Sequence, residues 1–115
     1  MVRKFRQGVR YAYTGLTIAW NEELNFRIEI GIAVLVMALG FFFDISLFEW
    51  MFVTVSIALV IVAETFNTAL EALCDAFRPQ HDPHIAKIKD LSAAAVLLAS
   101  CGAGIIGLLI FIPHL

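Results

Sequence analysis

Between Leu91 and Ile112 the chain runs for 22 residues without a charged side chain. At 1.5 Å per residue, one α-helix of that length crosses the ~30 Å hydrocarbon core of a bilayer. Lipid offers no partners to backbone amides, so a spanning segment must satisfy them within itself or in a closed barrel, and an unbroken apolar run points to helix. Two shorter uncharged stretches lie upstream, Ile30–Phe43 and Trp50–Ala63. The first needs residues before Glu29 or after Phe43 to reach full span. The second continues through Glu64, Asn67 and Glu71 to Asp75. The chain is 61% apolar and 16% charged, whereas an ordinary soluble domain carries roughly 25% charged residues. A net charge of −2 lacks the basic footprint of a nucleic-acid binder. These features predict an all-α membrane protein in a single domain, 1–115. It comprises an amphipathic helix over 1–20 and transmembrane helices at about 24–43, 49–74 and 89–112.

Lys and Arg fall in the N-terminal segment, at Arg27, and in the connection bearing Arg78, Lys87 and Lys89. The turn around Asp44–Glu49 and the C-terminal tail hold none. The positive-inside rule therefore predicts a cytoplasmic N-terminus, a cytoplasmic Asp75–Asp90 connection and an external C-terminus. In the first 20 residues, Phe5, Val9, Ala12, Leu16 and Ala19 follow helical spacing, while Arg3, Arg6 and Arg10 line another face. That pattern suits a helix lying in the interface with its cations among anionic headgroups. The basic start is not followed by a continuous apolar core ending in small residues, so it does not read as a signal peptide. Asp75 to His84 contains Pro79 and Pro83 and is expected to be a short loop. Cys74 and Cys101 have no CxxC spacing and read as small apolar side chains, not as a disulfide.

The chemistry concentrates in Glu64-Thr-Phe-Asn67-Thr68-Ala-Leu-Glu71-Ala-Leu-Cys-Asp75. At about 100° per residue, Asn67, Thr68, Glu71 and Asp75 fall on the helical face that carries Glu64. If the hydrocarbon begins near Trp50, a span of about 20 residues ends near Ala69, and Glu64 lies roughly 8 Å inside the boundary. A helix end whose polar groups simply reach water accounts for Asp75, adequately for Glu71, and poorly for Glu64. An ionisable group at that depth costs a few kcal/mol unless it faces protein, water or an ion. Glu23 and Glu29 lie at the same end of the first span, and Lys89-Asp90 at the start of the third. Acids with a few cations at one headgroup plane suit a divalent metal and a phosphorylated ligand. The chain has neither GxxxxGK[ST] nor GxGxxG, so phosphates would be held by Lys or Arg and by a carboxylate-bound metal. His81 and His84 lack cysteine partners and do not make a zinc set.

The run Glu64-Thr-Phe-Asn67-Thr68-Ala-Leu-Glu71-xxx-Asp75, with His84-Ile-Ala-Lys-Ile-Lys89-Asp90-xx-Ala93-Ala94-Ala95-Val96, resembles the bacterial diacylglycerol kinase and undecaprenol kinase family. Asn21-Glu-Glu23-xx-Phe26-Arg27-x-Glu29 fits the same pattern, and the resemblance extends from about Trp20 to the end. It implies a homotrimer in the bacterial inner membrane with active sites shared between neighbours. It also implies transfer of the γ-phosphate of ATP to the hydroxyl of a membrane lipid. By position, Glu64 looks like the general base, Glu23 and Glu71 like the carboxylates that hold Mg²⁺, and Lys89 like the partner of the transferring phosphate. Asp90 and Asn67 would orient the nucleotide and the catalytic network, Tyr11 and Gln80, His81 and Asp82 fall where the family contacts ATP, and Arg27, Glu29 and Trp50 fall near the lipid. The ending Ile110-Phe-Ile-Pro-His-Leu115 is similar to the undecaprenol kinase branch, which favours undecaprenol over diacylglycerol. The competing expectation is a non-catalytic membrane subunit whose acidic face binds a partner helix or relays protons. Only the kinase requires Lys89 and Glu23.

Overall fold

A computed structural model describes residues 1–77 and 82–115. Among these residues there are four α-helices and no strand: α1 (Val2–Glu22), α2 (Leu24–Phe42), α3 (Leu47–Phe77) and α4 (Pro83–Phe111), closed by a 3-10 turn at Ile112–His114. Three of them, α2, α3 and α4 with its terminal turn, are long and apolar enough to cross a membrane. The amphipathic N-terminal helix forms, and it is separated from α2 by Glu23 alone, whose backbone is extended at φ −114° and ψ 108°. That one residue turns the chain, with its N–H still bonded to Ala19 O at 2.9 Å.

The connection between α2 and α3 is short and fully specified. Asp44 adopts a left-handed conformation, φ 52°, which Asp tolerates better than most residues. Ile45 N–H bonds Gly40 O at 3.1 Å and Asp44 N–H bonds Phe41 O at 3.3 Å. This is a Schellman arrangement that satisfies the last carbonyls of α2. Ser46 then caps α3: its Oγ accepts from Glu49 N–H at 3.1 Å, while Glu49 Oε1 accepts from Ser46 N–H at 3.0 Å. The reciprocal pair satisfies donors at both ends of the first turn.

At the other end the helices run further than expected. The segment read as a loop over Asp75–His84 is helical through Phe77 and again from Pro83, six residues before the expected start at 89. Two local effects explain the early start of α4. Asp82 Oδ1 accepts from His84 N–H at 2.8 Å, and Pro83 occupies the first helical position, where no amide hydrogen is needed.

α3 is the central element. It packs most extensively on α4 and also on α2, while α1 packs on α2. A small core of Ile45, Val53 and Ile110, with Trp50, Phe43 and Phe111 around it, closes the end of the bundle farthest from Glu64. His114 Nε2 lies 3.3 Å from Glu49 Oε2 and ties the C-terminal turn to the start of α3. Elsewhere large apolar side chains remain exposed along all three long helices, among them Leu35, Val55, Leu59, Leu98 and Leu109. Such surfaces are stable when covered by lipid or by other chains.

Candidate active site

The polar end of the bundle is built around Glu64 on α3, which is 2% exposed. Glu23, Glu29 and Glu71 lie within electrostatic reach of its carboxylate, so acids from α3, α2 and the α1–α2 corner converge. One turn beyond Glu64, Asn67 Nδ2 donates to Glu71 Oε1 at 3.1 Å. Ser92 on α4 completes the link, its Oγ donating to Asn67 Oδ1 at 2.7 Å within the interior. Lys89, one turn before Ser92, pairs with Asp75 Oδ1 at 2.6 Å. The two partners are 36% and 59% exposed, so the ammonium is held loosely and at the surface of the site.

Several of the expected residues are thus brought together: Glu23, Glu29, Glu64, Asn67 and Glu71 form one neighbourhood, with Lys89 at its rim. Asp90 and Arg27 are exposed at the same end, on α4 and α2. Tyr11 is 71% exposed on α1. Asp82 serves as the α4 cap. Gln80 and His81 lie outside the described residues. Trp50 is not part of this neighbourhood. It stands 14 positions before Glu64, about 21 Å along α3, where its ring packs against Phe41 and over Gly40.

Between α2, α3 and α4 a cleft of about 280 Å³ leads away from Glu29, floored by Ala33, Ser56, Gly104 and Gly107. Glu29 Oε2 and Ser56 Oγ are buried there without a hydrogen-bond partner among the described residues.

The donor set is made of carboxylates and one amide, hard oxygen groups that suit Mg²⁺ rather than a softer metal. No cluster of three or more His, Cys, Asp or Glu closes on a cation among the described residues. Mg²⁺ commonly takes only one or two protein carboxylates and completes its shell with water and substrate phosphates. Glu23 and Glu71, both within electrostatic reach of Glu64, would be two such carboxylates. The neighbourhood also needs positive charge, because its acids face one another and Lys89 is engaged by Asp75.

Three features were not legible in the sequence. Ser92 offers only a hydroxyl three positions after Lys89, a spacing that places both on one side of α4. The Asp75–Lys89 pair joins the ends of α3 and α4, which the apolar runs do not mark. Ser56 is one hydroxyl among several in apolar helices, and nothing marks it out from Thr54 or Thr65, whose hydroxyls bond the carbonyl four residues back.

The chain matches the family model of prokaryotic diacylglycerol kinase over residues 10–111. It is 32% identical over 114 residues to the undecaprenol kinase of Bacillus subtilis (strain 168), covering 99% of this chain and 93% of that protein. It is 35% identical over 107 residues to a diacylglycerol kinase of Synechocystis, covering 92% of this chain and 61% of that one. A diacylglycerol kinase of Escherichia coli (strain K12) is 33% identical over 90 residues, 77% of this chain and 73% of the other. The match covers most of the chain, and the similarity to the Bacillus subtilis protein nearly all of it: the chain belongs to the prokaryotic diacylglycerol kinase family.

Proposed function

We propose that this chain is an ATP-dependent lipid kinase that phosphorylates the hydroxyl of a membrane lipid, with undecaprenol favoured over diacylglycerol. The observation that carries the reading is the buried Glu64 carboxylate, gathered with Glu23, Glu29 and Glu71 on apolar helices. Glu64 takes the proton of the lipid alcohol. The alcohol oxygen forms its bond to the γ-phosphorus as the bond to the β,γ-bridging oxygen breaks, leaving ADP and a lipid phosphate monoester. A carboxylate at this depth reaches an alcohol that never leaves the bilayer. Phosphoryl transfer needs positioning and charge neutralisation more than covalent help.

Glu23 and Glu71 would hold Mg²⁺, which when bound would neutralise negative charge on the phosphates. Asn67 keeps Glu71 oriented. Lys89 exchanges its contact with Asp75 for one with the transferring phosphate. Tyr11, Asp82 and Asp90 flank the nucleotide, together with Gln80 and His81. Arg27 and Glu29 meet the lipid near its hydroxyl, and Trp50 meets only its hydrocarbon, given its distance along α3. The chain works as a homotrimer in the bacterial inner membrane, with α1 in the cytoplasmic interface and the C-terminus outside. The undecaprenol preference draws support from the match to the Bacillus subtilis undecaprenol kinase, which spans 93% of that protein.

The test is purified protein in detergent micelles with labelled ATP, Mg²⁺ and each lipid alcohol in turn. Label should enter undecaprenol faster than diacylglycerol. Correctly assembled protein that labels neither lipid overturns the kinase assignment, and faster labelling of diacylglycerol overturns the preference.

A further inference from the structure

Ser92 has no part in the chemistry just described, yet it makes a buried connection between α3 and α4, two of the helices that supply the site. It is 7% exposed, and Asn67, to which it donates, is 9% exposed. A carboxamide has one accepting and one donating end of nearly equal size. Here the Nδ2 end donates to Glu71 Oε1 at 3.1 Å. Asn67 Oδ1 must then face α4, and the group it meets there must donate. Ser92 Oγ supplies that donor at 2.7 Å. The hydrogen bonds therefore run in one direction, from Ser92 through Asn67 to Glu71 Oε1, and do not occupy Glu71 Oε2.

We infer that Ser92 is a positioning residue that acts through Asn67 to hold the Glu71 carboxylate in its cation-binding orientation. Asn67 and Glu71 are four residues apart on one helix and can meet without help. What Ser92 adds is a fixed amide orientation and a link to α4, one turn from Lys89. The carboxylate that faces the cation and the ammonium that faces the phosphate are thereby set in register. This role rests on the kinase reading, in which Glu71 is a metal ligand. Partners that orient a ligating carboxylate commonly matter by 10–100-fold in metal affinity or activity.

The experiment compares wild type, Ser92→Ala, Ser92→Thr and Glu71→Gln as full chains in micelles. Mn²⁺ serves as the probe, its binding followed by electron paramagnetic resonance with a non-hydrolysable ATP analogue, so that no turnover is involved. The Mg²⁺ dependence of lipid phosphorylation and the thermal unfolding midpoint are measured alongside. Ser92→Ala should weaken Mn²⁺ binding about tenfold or more and raise the half-saturating Mg²⁺ in parallel, with kcat at saturating Mg²⁺ falling by less. Ser92→Thr, which keeps the hydroxyl, should recover most of the affinity. If it unfolds earlier because of its added methyl, the Ser92→Ala titration decides alone. Unchanged Mn²⁺ affinity in Ser92→Ala, with weakened binding in Glu71→Gln, overturns the role of Ser92 and leaves the kinase reading standing. Unchanged affinity in Glu71→Gln overturns the metal assignment and the inference together.

Discussion

Glu64 occupies a position that stability alone would not select. It is 2% exposed, and other carboxylates lie close enough to repel it. Buried charge without a counter-charge is costly, and such sites are retained where function requires them. Glu64→Gln keeps the shape and removes the charge. It should lower turnover by about 10²–10⁴-fold, the usual worth of a general base, while the thermal midpoint holds or rises. ATP binding, read by isothermal titration, should persist, and its loss would move Glu64 into the metal set. Lys89 gives the complementary case. Its exposed pair with Asp75 is screened by water and adds little to stability. Lys89→Ala should therefore leave the unfolding midpoint within a few degrees and cut kcat/KM for ATP at least tenfold. A midpoint that collapses with activity would make the ion pair structural. At this scale the acids were legible because intramembrane charge is rare and helical spacing places them on one face. Ser92 and Ser56 were not, since a hydroxyl can satisfy itself on its own helix and only packing reveals whether it does.

Helix existence followed from apolar runs, whereas helix ends depended on chemistry that such runs do not display. α4 starts at Pro83 because Asp82 caps it, and α3 starts at Leu47 because Ser46 and Glu49 satisfy each other. The α2–α3 corner carries the sharpest structural demand. Gly40 is buried under Trp50, and a Cβ added there would lie 2.7 and 2.8 Å from two indole carbons and 3.2 Å from Ile45 Cδ1. Replacing a mid-helix Gly by Ala normally favours the helix by about 1 kcal/mol. Here the ring must move, although Phe41 packs on it with centroids 4.8 Å apart, and overpacking of this kind costs about 1–3 kcal/mol. The steric term wins, so Gly40→Ala should lower the unfolding midpoint in detergent. The same change in a Trp50→Leu background should be neutral or stabilising. A raised midpoint in the wild-type background would show that the corner has room to spare.

Over the whole molecule, charge is distributed by end. All eight Lys and Arg lie in α1, at Arg27 near the start of α2, or between Arg78 and Lys89. The opposite end presents Asp44, Glu49 and His114 without a Lys or Arg. Cations flanking short loops resist translocation, and the proposed topology accordingly puts the Glu64 end in the cytoplasm. The proposed chemistry demands the same orientation independently, because ATP is available only on that side. Under that proposal Mg²⁺ and the phosphates enter where Glu71 and Lys89 stand, and the Glu49–His114 contact faces outward. Free Cys101 sits on a span and Cys74 is buried, so both can be replaced by Ala to give a background for labelling. In that background Leu115→Cys should react with a membrane-impermeant maleimide on intact cells, and Val2→Cys only after lysis. The reverse pattern would put the acidic cluster on the side without ATP and end the kinase proposal, whatever the residues resemble. Labelling of both positions on intact cells would mean that the chain inserts in two orientations and that its charge asymmetry is too weak to decide between them.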